Sequence, residues 1–263
     1  MGDRWRSDTE DIRTVNTTLD LLNSVLASTA RLWRGTGSRP PRQRPKQPLE
    51  LYEFEGCPFC RLVREAFTEL DLDVLIRPCP HGGNRFRPEA IERGGKKLFP
   101  FVVDPNTQVE MYESADIIRY LYQTYGGRPA PSRLLRALDV ASSSLCSAIR
   151  LGAGARARPS VAPEQPLELF SFESSPYSRG VRELMCVLEL PYLLRNTGKA
   201  MWQDLGPPQI RATLFPNLPV RGRNRLALLE RTGRVQVPYL IDPNTQVEMY
   251  ESEHIKRYLL ETY

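Results

Sequence analysis

The sequence predicts an α/β chain built from two tandem copies of one unit, each in the order βαβ then ββα, with a helical N-terminal arm and a helical connector. Two observations carry this. LELYEFEGCPFCRLVRE, starting at Leu49, recurs as LELFSFESSPYSRGVRE, starting at Leu167. FPFVVDPNTQVEMYES, ending at Ser114, recurs as VPYLIDPNTQVEMYES, ending at Ser252. A third observation is that 263 residues at 41% hydrophobic suffice for two compact cores without disulfide staples. The offset between copies grows from 118 to 138, so the second copy carries a 20-residue insertion near Gly198 to Asn217. The expected segments are an arm and linker (1–48), a first domain (49–125), a connector (126–166) and a second domain (167–263).

Taken in order, Val15, Leu19, Leu22, Leu26 and Trp33 recur every three to four residues and predict an amphipathic helix over about 9–33 that docks on a domain. SRPPRQRPKQP, from Ser38 to Pro48, has the composition of an extended linker. Leu49 to Phe54 alternates as a half-buried strand, and Gly56 breaks it. Pro58 suits the first position of a helix whose inner side is Leu62, Val63, Ala66, Phe67 and Leu70. A strand follows near Val74 to Ile76, then a polar loop with a short helix. Phe101 to Val103 and Val109 to Tyr112 bracket the turn tetrapeptide DPNT as a hairpin. Ser114 is expected to cap a closing helix ending before Gly126. Between the copies, Ser132 is the expected cap of a helix with Leu134, Leu138, Ala141 and Leu145 on one face and Gly152 beyond its end.

Composition narrows the function classes. The net charge of +5 gathers in the arm and connector, which argues against a nucleic-acid groove and leaves an anionic membrane surface or an acidic partner open. No run is long and apolar enough to span a bilayer. Five scattered cysteines predict a reducing compartment, and Asp3, Asp8, Glu10 and Asp11 predict neither a secretory signal nor a transit peptide. Cys146 and Cys186 fall on apolar helical faces as small buried hydrophobes.

The chemistry lies in the first copy. Cys57 stands where a helix begins, so free amides and the helix dipole favour its thiolate, and Cys60, three residues on, is placed to resolve a mixed disulfide. The rival reading is half of a zinc site completed by Cys79 and His81. Phe99-Pro100 precedes the third strand, where a cis bond would open the backbone to a bound peptide. Glu113-Ser114 offers a carboxylate and a hydroxyl at a helix N-terminus, suited to an amino group and a carboxylate on one ligand. In the second copy Ser175 and Ser178 replace the two cysteines, and hydroxyls do not exchange disulfides. The eleven residues from Asp104 to Ser114 recur unchanged as Asp242 to Ser252. Packing does not demand identity at Asn106, Thr107 and Gln108, so either the copies were homogenised or the hairpin makes one contact twice.

These residues carry a resemblance. CPFC after a strand, the proline before the third strand and the Glu-Ser pair after the hairpin resemble glutaredoxins and the N-terminal domain of glutathione S-transferases, both thioredoxin-like folds. More narrowly, PCPHGGNRFRPEAIERGGKKLFPFVVDPNTQVEMYESADIIRYL resembles plant and algal plastid proteins with two such domains in tandem. The resemblance implies glutathione as ligand, with its γ-glutamyl end at Glu113 and Ser114, its cysteinyl backbone beside Phe99 and Pro100, and Cys57 as catalytic thiol. It implies a second glutathione site at Ser175, Val237, Pro238, Glu251 and Ser252, unless that copy is structural only. It implies a chloroplast address, with the cytoplasm as the other expectation.

The expected function is therefore a glutathione-linked thiol-disulfide oxidoreductase or transferase-like protein. Its partner would be a disulfide-bearing protein. One alternative is a non-catalytic scaffold of a plastid membrane complex. Another is a carrier of a glutathione-ligated iron-sulfur cluster held through Cys57. A transferase's all-helical domain has no counterpart among the expected elements, since one helix follows the first copy and none follows the second.

Overall fold

The computed structural model describes residues 17–131, 133–201, 204, 213–214 and 219–263. Val15 and the cap expected at Ser132 lie outside them, as does most of the insertion. The arm helix is α1 (Thr17–Ala30). The first copy holds β1 (Leu49–Glu53), α2 (Pro58–Glu69), β2 (Val74–Pro78), α3 (Arg87–Gly94), β3 (Phe101–Asp104), β4 (Val109–Met111) and α4 (Ser114–Leu121). The connector is α5 (Arg133–Ile149), and the second copy repeats the order as β5 (Leu167–Ser171), α6 (Pro176–Val187), β6 (Tyr192–Asn196), α7 (Arg223–Thr232), β7 (Tyr239–Asp242), β8 (Val247–Tyr250) and α8 (Ser252–Thr262).

The two copies share one eight-stranded sheet in the order β4-β3-β1-β2-β6-β5-β7-β8. Within each copy the first two strands run parallel and the remainder antiparallel. The halves join where β2 meets β6 antiparallel, with Leu75 opposite Leu193, Val74 opposite Leu194 and Ile76 opposite Tyr192. Leu193 is the repeat equivalent of Leu75, so a local two-fold axis passes through that pair. Each copy thereby covers an edge strand that would otherwise expose unpaired amides. A single apolar cluster, from Leu49, Leu51 and Phe67 through Leu167, Met185 and Leu194, fills both halves.

The symmetry extends to arm and connector. α1 packs on α5 and on α6 of the second copy, while α5 packs on α2 of the first. Ser24 Oγ donates to the Pro176 carbonyl at 3.0 Å, and Ser143 Oγ to the Pro58 carbonyl at 2.8 Å. Arg31 and Arg150, at the two helix ends, pair with the equivalent acids Glu65 and Glu183. The chain is thus folded as a pseudo-dimer with exchanged helices.

The expected docking face of α1 is corrected. Leu19, Leu22 and Leu26 point to solvent, each more than half exposed, and the buried side is Ser24, Ala27, Ser28 and Arg31. On α5, Leu138 and Leu145 are also turned outward while Ser143, Cys146 and Arg150 are buried. The reason is close approach. The Cys146 thiol meets the Ala27 carbonyl at 2.6 Å, a contact that only small side chains permit. Gly35 and Gly154, both at positive φ, run equally tight, since a Cβ would lie 2.8 Å from Cβ of Glu173 and 2.7 Å from that of Glu55.

Beneath these turns lies a buried charge cluster on the axis. Arg64 Nε meets Glu173 Oε2 at 2.9 Å, and Arg182 meets Glu55 Oε1 at 3.1 Å, so each arginine crosses to the other copy. Burial opposes ionisation of Glu173, but Arg182, Arg64 and Arg61 together hold its carboxyl well below the usual range.

The repeated hairpin makes the same contact twice. Asn106 Oδ1 accepts from the amides of Lys46 and Gln47, both at 2.9 Å, and its amide donates to the Gln47 carbonyl. Asn244 clasps Gln165 in the same manner. Thr107 pairs with Tyr120 and Thr245 with Tyr258, while Asp104 and Asp242 each accept from two tyrosines. Asn106 and Asn244 therefore each pin the linker that leads into their own copy, and identity there is structural.

Candidate functional site

Strand direction gathers the site. Cys57 follows β1, Pro100 precedes antiparallel β3, and Glu113 follows β4, so all three lie at one end of the sheet. The two-fold axis puts Ser175, Pro238 and Glu251 at the opposite end.

Cys57 is the N-cap of α2, in extended backbone, and its Sγ accepts the Cys60 amide at 3.3 Å. Pro58 takes the first helical position, where its missing N–H costs nothing. The Cys60 thiol and amide, the Phe59 amide and the Arg64 charge stabilise a Cys57 thiolate against the penalty of burial, and its pKa falls to about 7. Burial and the neighbouring Cys57 push Cys60 well above the ordinary thiol range. An attacking and a resolving thiol are thus distinguished electrostatically. Cys57 is 4% exposed and Cys60 fully enclosed, so access to the sulfur is narrow.

The Phe99-Pro100 and Val237-Pro238 peptide bonds are both cis. Phe99 is half-buried, with its ring 6.3 Å from that of Phe54 and the Arg87 guanidinium 4.7 Å from its centre. Glu113 is exposed and occupies the N-cap of α4 with φ 67, and no side-chain cap is made there. Ser114, expected as the cap, is instead the first helical residue and largely buried. Glu251 and Ser252 repeat this conformation at φ 70.

The second site is more self-satisfied. Ser178 Oγ donates to Ser175 Oγ at 2.9 Å, Gln236 donates to Glu251 at 2.7 Å, and Ser175 is 2% exposed. In the first site Glu113 makes no ion pair among the described residues.

The rival metal set is spread differently. Cys79 is enclosed, with its thiol directed to the Arg77 carbonyl, and the His81 ring lies against Phe54 at 4.9 Å. Among the described residues no group of three or more histidines, cysteines or acids is arranged to hold a metal.

Two features were missed from sequence. Around exposed His81 stands a basic rim: burial, then the charges of Arg87, Arg156 and Lys97, lower its pKa. Arg156 belongs to the connector, which reaches this mouth because the His81 amide donates to the Ala155 carbonyl at 2.6 Å and Ala157 returns a bond at 2.9 Å. The second is Glu53, buried beneath the thiols. Burial, with Glu55 and Cys57 adding to it and Arg64 opposing, pushes its pKa up to about 8. An acid in register with inward Leu49 and Leu51 was a readable signal. Its repeat equivalent is Ser171, so the carboxylate accompanies the cysteines and is absent with them.

Comparison with known proteins is concordant over most of the chain. Residues 51–129 and 169–263 each match the family described as "Glutathione S-transferase, N-terminal domain". A solved glutathione transferase of Bombyx mori is 28% identical over 33% of this chain, with a TM-score of 0.28, and the match spans 39% of that transferase's length. No curated protein matches the sequence.

Proposed function

The chain belongs to the family of the glutathione S-transferase N-terminal domain, which it carries twice, and on that premise we propose that it is a glutathione-linked thiol-disulfide oxidoreductase working through Cys57. The observation that carries the reading is the Cys57 sulfur at the α2 N-terminus, held by the Cys60 amide at 3.3 Å with a pKa near 7. The Cys57 thiolate attacks a substrate disulfide, forms a mixed disulfide, and releases one thiolate that takes a proton. Glutathione or Cys60 then attacks Cys57 Sγ and frees the second thiol. When glutathione attacks, one further glutathione resolves the mixed disulfide of Cys57 with glutathione; when Cys60 attacks, two glutathiones reduce the Cys57–Cys60 disulfide. On either route two glutathiones become glutathione disulfide as one substrate disulfide becomes two thiols. Exposed Glu113 would meet the γ-glutamyl ammonium, and the backbone at Phe99 and cis Pro100 the cysteinyl backbone. The fit is supported by the convergence of these three segments at one sheet end.

The second copy lacks sulfur at Ser175 and Ser178, so its role in this reading is at most binding. A scaffold reading has one observation in its favour, the narrow access to Cys57. The experiment that separates them is turnover of a glutathionylated peptide or a small disulfide, coupled to glutathione reductase. The wild type should turn over and Cys57→Ser should not. Equal rates in both, or none in either, would remove the enzymatic reading.

A further inference from the structure

We propose, resting on the thiol chemistry given above, that the mouth of the Cys57 site receives a disulfide-bearing polypeptide with acidic residues beside its cysteine, held by Arg156 of the connector and Lys97 of the first copy. The strand order sets out this mouth in a row: Glu113 after β4, Pro100 before β3, Cys57 after β1 and His81 after β2. The glutathione contacts given above lie on the β3 and β4 side of the sulfur. The β2 side is left for the other half of the disulfide, and there the cations gather.

Backbone contacts bring the connector to that side. The His81 amide donates to the Ala155 carbonyl and the Ala157 amide to the His81 carbonyl, which lays Arg156 alongside His81. Ala153 and Ala155 also press on Gly56, the residue before Cys57, where a Cβ would lie 3.1 Å from the Ala153 carbonyl oxygen. The His81 ring meets that of Phe54, and Phe54 in turn that of Phe99, so the rim and the cis-proline segment form one wall. Besides burial, the charges of Arg87, Arg156 and Lys97 hold the His81 pKa down, so the four groups share one small area.

The cations there are available. Arg156 and Lys97 are exposed, and neither has an ion-pair partner among the described residues. Arg87 is buried and donates to the Cys79 and Pro80 carbonyls, adding its charge from beneath. Glu189, which reaches this loop from the second copy, is buried and accepts from the amides of Asn84 and Arg85 at 3.2 and 3.0 Å. Residues 77–99 and 138–160, which form this side, all belong to the described chain.

The serine copy lacks both free cations. Lys199 is the repeat equivalent of His81 and makes the matching bridge to Gly37, so Gly37 stands where Arg156 does. Val235 stands where Lys97 does. Only the His81 and Arg87 positions stay basic there, as Lys199 and Arg225. Arg156 and Lys97 thus accompany the sulfur, as Glu53 does. Phe59 and Leu98, 44% and 50% exposed, add apolar surface next to Cys57 and Phe99, which suits a polypeptide rather than a small inorganic anion.

The experiment is turnover by the full chain of glutathione mixed disulfides of three short peptides, alike except for Glu, Gln or Lys on both sides of the cysteine, coupled to glutathione reductase. At about 20 mM salt kcat/KM should fall from the Glu to the Lys peptide by about tenfold, and at about 0.5 M, where screening acts within about 4 Å, by about twofold. Arg156→Gln with Lys97→Gln should lower the Glu peptide about fivefold and erase the spread, whereas Arg156→Lys should keep it. Arg39→Gln, which removes an exposed cation at the serine end, should keep it as well. Turnover with no spread among the peptides overturns the proposal while the oxidoreductase reading stands. So does a spread that the double variant retains, or a double variant that raises KM for glutathione equally with every peptide, which would assign the rim to glutathione. No turnover of any peptide removes the reading and the proposal with it.

Discussion

Replacing Glu173 with glutamine should unsettle the whole pseudo-dimer, because one carboxylate serves three buried arginines from both copies. Arg64 lies 2.9 Å from it, Arg182 3.3 Å and Arg61 3.5 Å, and none of the four side chains is more than 3% exposed. Glutamine keeps the shape and removes the charge, leaving guanidinium groups in a dry interior. Breaking a buried pair by removing one partner costs about 3–5 kcal/mol. Arg64 keeps Glu53 and Glu55 and Arg182 keeps Glu55, so Arg61 alone among them loses its ion pair and the cost falls at the lower end of that range. For a chain of this size about 3 kcal/mol lowers the melting temperature by roughly 6–12 °C. Urea unfolding followed by circular dichroism measures the loss directly. A Glu173→Gln protein within about 1 kcal/mol of wild type would refute the account of the cluster.

Asn106→Ala releases the linker amides of Lys46 and Gln47 and should cost about 1–2 kcal/mol, with Asn244→Ala costing the same, as read from urea midpoints. Gly154→Ala forces a Cβ to within 2.7 Å of Glu55 at a positive φ and should destabilise by more than about 1 kcal/mol in the same assay. Glu53 is raised by burial, so the folded state holds its proton more tightly than the unfolded chain. Its contribution is full below the ordinary glutamate range and is lost as pH rises through about 8. Glu53→Gln should accordingly flatten the decline in melting temperature between about pH 5 and 8. An unchanged decline would remove Glu53 as its source.

The local elements were legible because their punctuation is chemical. Gly56 and Pro58 mark the turn into α2, DPNT marks the hairpin, and the prolines at 100 and 238 mark the starts of β3 and β7. The union of the copies was not legible, since nothing in Val74–Pro78 distinguishes a free edge from one paired to another copy. The helix faces misled for a related reason. A leucine stripe ordinarily turns inward, but here α1 and α5 approach so closely that Ala27, Ser28 and Cys146 occupy the contact and the leucines are left outside. Glu53 and the basic rim escaped because their neighbours are brought in by other elements, Arg64 by α2 and Arg156 by the connector. The cysteine positions and the Phe99-Pro100 and Glu113-Ser114 segments stood out because the second copy repeats their frame while changing the sulfur.

The most direct measurement is the pH dependence of Cys57 alkylation by iodoacetamide, read by peptide mass spectrometry in the intact folded chain. A sulfur poised by the α2 amides should titrate with a midpoint near 7 and reach its plateau well before an ordinary thiol, while Cys60 stays unlabelled. A midpoint at or above the free-thiol value of about 8.5 would contradict the claim that this helix end prepares a nucleophile.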